Sequence, residues 1–111
     1  MYSIKAILTE DPILYYKNVQ DGNKHVTASN IVLSNVSASA AGVYLSFTRK
    51  DQTFETGAIL YKYSLPANSF LELKDRLLNP DQTIQAYCDT AEVVVLSVDI
   101  LEPFGEYAET L

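Results

Sequence analysis

The sequence predicts an all-β fold, an antiparallel β-sandwich or jelly roll of about eight short strands. Three observations predict it. Apolar and polar residues alternate with period two over short segments, as strands with one buried face require. Turn residues interrupt those segments at regular intervals. No segment has both the length and the 3.6-residue period of a helix that would carry a parallel crossover.

The first strand is expected from Tyr2 to Leu8, with Tyr2, Ile4, Ala6 and Leu8 on one side. Glu10-Asp11-Pro12 breaks it, and Ile13 to Lys17 forms a second apolar-aromatic run. Asp21-Gly22-Asn23 is a turn signal, because glycine supplies positive φ. If the two flanking runs pair, Ile13–Lys17 and the next strand, His25 to Val36, form a hairpin with a longish loop. In that strand the alternation changes phase near Asn30: Val26 and Ala28 precede the change, Ile31 and Leu33 follow it. A bulge or bend there would restore the facing.

Asn35 to Gly42 is small and polar, a loop by composition. Val43, Leu45 and Phe47 then point inward, and Tyr44, Ser46 and Thr48 outward. Lys50-Asp51-Gln52 is a charged turn. A strand follows over Ile59 to Leu65, where Tyr61 and Tyr63 are expected to share the face of Ile59. The stretch Leu65 to Ile100 reads as three strands. Leu71 and Leu73 oppose Glu72 and Lys74; Ile84, Ala86 and Cys88 oppose Thr83, Gln85 and Tyr87; Val94, Leu96, Val98 and Ile100 oppose Ser97 and Asp99. Pro66-Ala67-Asn68 and Asn79-Pro80-Asp81-Gln82 are the reversals between them. Lys74 to Leu78 has room for one helical turn, too short to be stable alone.

The chain has 111 residues, of which 1–101 form one expected β-sandwich domain and 102–111 a C-terminal tail. A chain of this size buries roughly two-thirds of its unfolded surface, enough for one core without disulfides. The hydrophobic fraction, 48%, excludes a disordered chain. Net charge −6, from 14 acidic and 8 basic residues, argues against nucleic acid as a partner. No apolar run approaches the ~20 residues that span a membrane, so no membrane association is expected. The N-terminal MYSIKAILTEDP lacks the basic-then-apolar pattern of a secretory signal. The single cysteine, Cys88, forms no internal disulfide and is expected to be a small buried hydrophobe.

Little points to chemistry. The only histidine, His25, would need Cys88 to form a nucleophile–base pair, and the alternation puts Cys88 inside. Zinc needs more His or Cys ligands than these two. The acidic residues lie mostly in turns and on outward faces, and Asp75, Asp81 and Asp89 lack the dense spacing of a calcium loop. No metal or cofactor is expected. Asn35-Val36-Ser37 fits the glycosylation pattern but comes without a secretion signal. Tyr44, Tyr61, Tyr63 and Tyr87 are read first as core or subunit contacts, and otherwise as an aromatic platform for sugars.

A set of turns and strands remains that has a family likeness. Ile31-Val32-Leu33-Ser34-Asn35 ends a strand in a small-residue turn, and Val43 to Phe47 follows. A Leu-Pro-Ala turn leads from Leu65 to an apolar strand. Leu78 to Ala86 reads LNPDQTIQA, and the last strand ends Val98-Asp99-Ile100-Leu101-Glu102. From about Asp21 to Glu102 the chain thus resembles small β-sandwich virion proteins of tailed bacteriophages. Those relatives often carry Pro-Gly-Asp before the Thr-Ile, where this chain has Asn-Pro-Asp-Gln. The resemblance implies a non-enzymatic structural protein of a bacteriophage particle: a capsid decoration, neck or tail component. It would be synthesised in the host cytoplasm and located in the virion. Its implied partners are other virion proteins, in a homo-oligomer or lattice, and no catalytic residue travels with the likeness. Tyr2, Tyr15, Tyr16, Phe104 and Tyr107 are the expected partner contacts. A carbohydrate-binding β-sandwich module is the alternative; it requires exposed tyrosines clustered on one sheet face. An enzyme would require a buried carboxylate pair in a cleft.

Overall fold

The structure is a computed structural model that describes residues 2–19 and 24–101. Eight strands form in chain order: β1 (Tyr2–Ile7), β2 (Ile13–Lys17), β3 (Val26–Asn35), β4 (Ala41–Thr48), β5 (Ala58–Leu65), β6 (Phe70–Leu78), β7 (Thr83–Cys88) and β8 (Val94–Leu101). They make two four-stranded sheets, ordered β1-β8-β3-β6 and β2-β7-β4-β5. All pairings are antiparallel, and they nest: β1 with β8, β2 with β7, β3 with β6, β4 with β5. The chain is one long hairpin with its tip between β4 and β5, rolled so that successive strand pairs alternate between the sheets. This is the jelly-roll arrangement of a β-sandwich.

Both sheets turn their alternating apolar face inward. Ile31, Leu33, Leu96, Val98 and Ile100 of the first sheet meet Val43, Leu45, Ile84, Ala86 and Cys88 of the second, all 0% exposed. Burial of these side chains is the main favourable term, at about 1.5–3 kcal/mol for each large one.

The phase change in β3 is resolved by a bulge. Against β8 the register slips between Ala28 and Asn30, so that Ala28 still meets Ile100 and Ile31 still meets Val98. β6 slips with it. Asp75 takes φ 53°, and the inward set passes from Leu71 and Leu73 to buried Leu78. The β3–β6 register therefore stays constant across the defect. Lys74 to Leu78 is accordingly strand and not a helical turn.

Two other expectations are corrected. Ile13–Lys17 does not pair with the strand that follows it; β2 pairs with β7 in the second sheet, whereas β3 lies in the first. The turn residues Asp21, Gly22 and Asn23 lie outside the described residues. Tyr61 and Tyr63 do not share a face. Lys62, at φ 53°, is an extra residue between them, and the β4–β5 register slips there. Tyr63 sits opposite inward-facing Val43, while Tyr61 packs on outward-facing Tyr44.

Six of the seven connections cross between the sheets, and a buried asparagine serves two pairs of them. At one end Asn35 donates from Nδ2 to the carbonyls of Ser39 (2.8 Å), Leu65 (3.0 Å) and Pro66 (3.3 Å), and its Oδ1 accepts from Ser37 N (3.0 Å) and Oγ (2.8 Å). It ties the β3–β4 crossing to the β5–β6 crossing. At the other end Asn18 Nδ2 donates to the carbonyls of Leu78 (3.0 Å) and Lys24 (3.3 Å), tying β2–β3 to β6–β7. The Asn35 amide is thereby occupied and 98% inaccessible, so Asn35-Val36-Ser37 does not offer a glycosylation acceptor in the folded chain.

Replacing Asn35 by alanine leaves the buried Leu65 carbonyl without this donor, and stability falls by about 2 kcal/mol or more. Leu96→Ala, a cavity in the core, is expected to cost about 2–5 kcal/mol. Urea unfolding of both variants checks the pair; an Asn35→Ala chain as stable as the parent would remove the clamp.

Candidate functional site

The outer face of the second sheet carries the most concentrated set of side chains available to a ligand. Tyr44 and Tyr87 are directly opposite on β4 and β7, and their rings stack at 4.2 Å between centroids, 4° from parallel. Tyr61 on β5 meets Tyr44 edge-to-face at 5.1 Å, and Phe54 from the β4–β5 loop meets Tyr87 at 5.1 Å. Tyr61 is 48% exposed, and the other three are half-buried. The tyrosines are therefore not core residues. They form a cluster on one sheet face, built by cross-strand pairing.

The loop 49–57 shapes this face. It folds back over the outward side of β4, covering Ser46 and Thr48, and Ser46 Oγ donates to the Phe54 carbonyl at 2.8 Å. Gly57 is required at the return: a Cβ there would lie 2.3 Å from the Phe47 carbonyl oxygen. The Arg49 amide donates to Gln52 Oε1 at 3.1 Å, which closes the charged turn.

Next to the aromatic row lies a cleft of about 260 Å³, open to solvent and bounded by Leu14, Lys17, Arg49, Lys50, Gln52, Asp81 and the β7 residues Thr83 and Gln85. Its floor is pinned. Thr83 Oγ1 donates to the Thr48 carbonyl at 2.9 Å, and Gln85 Nε2 donates to Thr83 Oγ1 at 3.0 Å. Gln85 and Tyr87 are two apart on β7 and share the outer face, so cleft and aromatic row are continuous.

The expected partner contacts are scattered. Tyr2 is 51% exposed on edge strand β1 and its ring lies 5.8 Å from that of Tyr16. Tyr16 is itself in the core at 9% exposure, which corrects its expected place at a partner surface. A register slip between Leu14 and Tyr16 turns half-buried Tyr15 against the core as well. Phe104, Tyr107 and the tail 102–111 lie outside the described residues. His25 is exposed just before β3, whereas Cys88 is sealed at the far end of β7. The Asp89 carboxylate accepts from the Gly42 amide at 3.0 Å and from Thr90 Oγ1 at 3.2 Å. Among the described residues no group of three His, Cys, Asp or Glu converges as metal ligands would.

Sequence reasoning found three of the four ring residues but not Phe54 or the cations of the cleft. The available signal was an aromatic residue inside an otherwise polar turn, KDQTFETG.

No protein-family model matches the chain, and no curated protein matches it. A solved structure described as "Crystal structure of PirA" aligns with it at a TM-score of 0.49 and 7% identity, over 92% of this chain and 94% of that one. A likeness at that level carries no inference about role.

Burial holds the Cys88 thiol above its ordinary value of 9.0, with Asp89 and Glu10 adding to the shift and a hydrogen bond from the Thr90 backbone opposing it. Burial likewise raises Tyr87, helped by Tyr61, Tyr44 and Glu55. In each case the folded chain holds the proton longer than the unfolded one, so stability is full below the ordinary value and falls as pH rises past it. Unfolding measured across alkaline pH is expected to show a decline beginning near pH 9, shallower in Cys88→Ala. A decline identical in both chains would exclude Cys88 as its source.

Proposed function

We propose that this chain is a non-enzymatic structural protein of a bacteriophage particle, acting through protein–protein assembly as a capsid decoration, neck or tail component. It would be made in the host cytoplasm and end in the virion. The resemblance in its turns and strands supports this reading, and a single structural observation carries it. Among the described residues, every large exposed apolar side chain lies on an edge strand, in a connection, or at the last residue of β8. The strongest concentration is at the Asn35 end of the first sheet, on its outer face. There Ile7 (55% exposed), half-buried Val95, Ser34 and Phe70 (68%) fall in one cross-strand row, with Val36 (64%) beside Phe70. Solvent-facing apolar groups in one patch mark a contact with another protein.

The edges themselves are guarded. Each of the four edge strands carries a lysine, namely Lys5, Lys17, Lys62 and Lys74, and the four inner strands carry no Lys or Arg. A charged side chain on an edge discourages strand-to-strand addition. The assembly contact is therefore a face, made by a neighbouring copy or another virion protein seated on the Ile7–Phe70 row.

A specific observation favours a second reading, a carbohydrate-binding module. Tyr44, Tyr61 and Tyr87 cluster on one sheet face, with Phe54 beside them. Sugar binding requires exposed tyrosines on one face; Tyr61 is the exposed member of this cluster, and jelly rolls host lectins as well as virion proteins.

Light scattering of the purified chain at micromolar concentration tests the first reading. A trimer, hexamer or larger ring is expected, and Ile7→Glu with Phe70→Glu is expected to dissociate it without loss of folding, because both side chains are exposed. A parent chain that stays monomeric and does not bind virion particles would defeat the proposal.

A further inference from the structure

We propose that the cleft between Leu14 and the β4–β5 loop binds an acidic saccharide, with the sugar's carboxylate held by Lys17, Arg49 and Lys50. The inference rests on the sugar-binding reading of this face and names the class of sugar.

The charge distribution is the first argument. The chain has net charge −6 and only 8 Lys and Arg, yet three of them border this one cleft. They face a single carboxylate, Asp81. The three cations have no ion pair among the described residues; the ion pair seen there joins Lys74 to Glu72, on a different strand. A cluster of like charges left unneutralised on an acidic protein repels itself unless an anion is present. Arg49 offers the planar fork that matches a carboxylate.

The neutral lining is the second argument. Gln85 and Gln52 present side-chain amides, groups that bond to sugar hydroxyls, over a floor set by buried Thr83. The hydrogen bonds at the floor already fix Thr83 and Gln85, so little side-chain freedom is lost on binding. Leu14, 52% exposed, supplies an apolar wall for the C–H face of a ring.

Size and continuity are the third. The cleft is about 260 Å³, just below the ~300–1,000 Å³ of sites for drug-sized ligands. It suits one charged sugar residue. The Tyr87–Phe54 pair begins one step along β7, where the next residue of a saccharide chain would lie. An acidic peptide would satisfy the cations but has no use for the aromatic row. A nucleic acid needs a track of cations along its backbone, which this single cleft does not provide.

Titration calorimetry with the full chain tests this, using a short oligogalacturonate and the uncharged galactose oligomer of equal length. The acidic oligomer is expected to bind more tightly, to weaken as salt is raised, and to lose about tenfold in affinity (about 1.4 kcal/mol) in Arg49→Gln, which removes a charge-assisted hydrogen bond. Lys17→Gln and Lys50→Gln should behave alike; all three side chains are exposed, so the fold is undisturbed. Equal binding of both oligomers, unchanged in the variants, would overturn the acidic cleft and leave the sugar reading standing. Failure of both oligomers to bind would overturn both. Binding of a glutamate-rich peptide as tight as that of the oligogalacturonate, and lost in the same variants, would overturn the saccharide in favour of a peptide.

Discussion

A rolled sandwich must carry its chain from sheet to sheet again and again, and each crossing leaves backbone groups without a ladder. That constraint shapes this molecule. Buried carbonyls without donors cost about 1–3 kcal/mol each, so the crossings cannot simply be loops. The nested topology brings them together in pairs, and side chains and amides close each pair. Asn35 and Asn18, 2% and 0% exposed, bind two pairs through their side chains. The third pair is closed by backbone, where Leu8 N meets Val94 O at 2.8 Å and Cys88 N meets Thr9 O at 3.0 Å, and by the Cys88 thiol, which lies 2.8 Å from the Thr90 carbonyl and 3.7 Å from that of Thr9. An asparagine suits the task because it carries two donors and an acceptor and adds no charge to a sealed site.

The bulge follows from a related constraint. β3 lies between β8 and β6, so an extra residue in it must be accommodated on both sides. β8 stays regular and the register slips; β6 gains its own extra residue at Asp75 and the register holds. The defect runs to the sheet edge and ends there in a left-handed aspartate, a residue type that tolerates that conformation. It has a local cost: Asn30 Oδ1 is buried at the bulge without a partner. The same edge carries Lys74 and Arg76 next to Asp75, so the bulge also places charge where a foreign strand would pair.

The strands were legible in the sequence because each has one buried face, and burial writes itself as alternation. Even the β3 phase change was readable at Asn30. What was not readable was strand order, since the alternation of Ile13 to Lys17 is the same whether its partner is β3 or β7. The Tyr61–Tyr63 face was misread for a different reason. A single extra residue at Lys62 reverses every later side chain, and lysine carries no signal for positive φ. The candidate site was half legible. Tyr44 and Tyr87 fell on outward faces by period, but their stacking depends on which strands are neighbours. Arg49, Lys50 and Lys17 come from two segments far apart in the chain, and only the fold brings them to one cleft.

The two proposed surfaces are compatible because the fold separates them. The Ile7–Phe70 row lies on the outer face of the first sheet, at the end where Asn35 closes the crossings. The cation cleft and aromatic row lie on the outer face of the second sheet, and the cleft sits at the end closed by Asn18. A copy seated on a particle through the first sheet therefore turns the second away from the contact. The lysines on all four edges favour that arrangement, since they leave the faces as the surfaces for contact. Assembly and saccharide binding then need not compete for side chains, and a substitution at Arg49 should leave the particle contact intact just as one at Phe70 should leave the cleft intact. Coupling between the two would have to pass through the packed core, where Ile31 and Val43 are both 0% exposed.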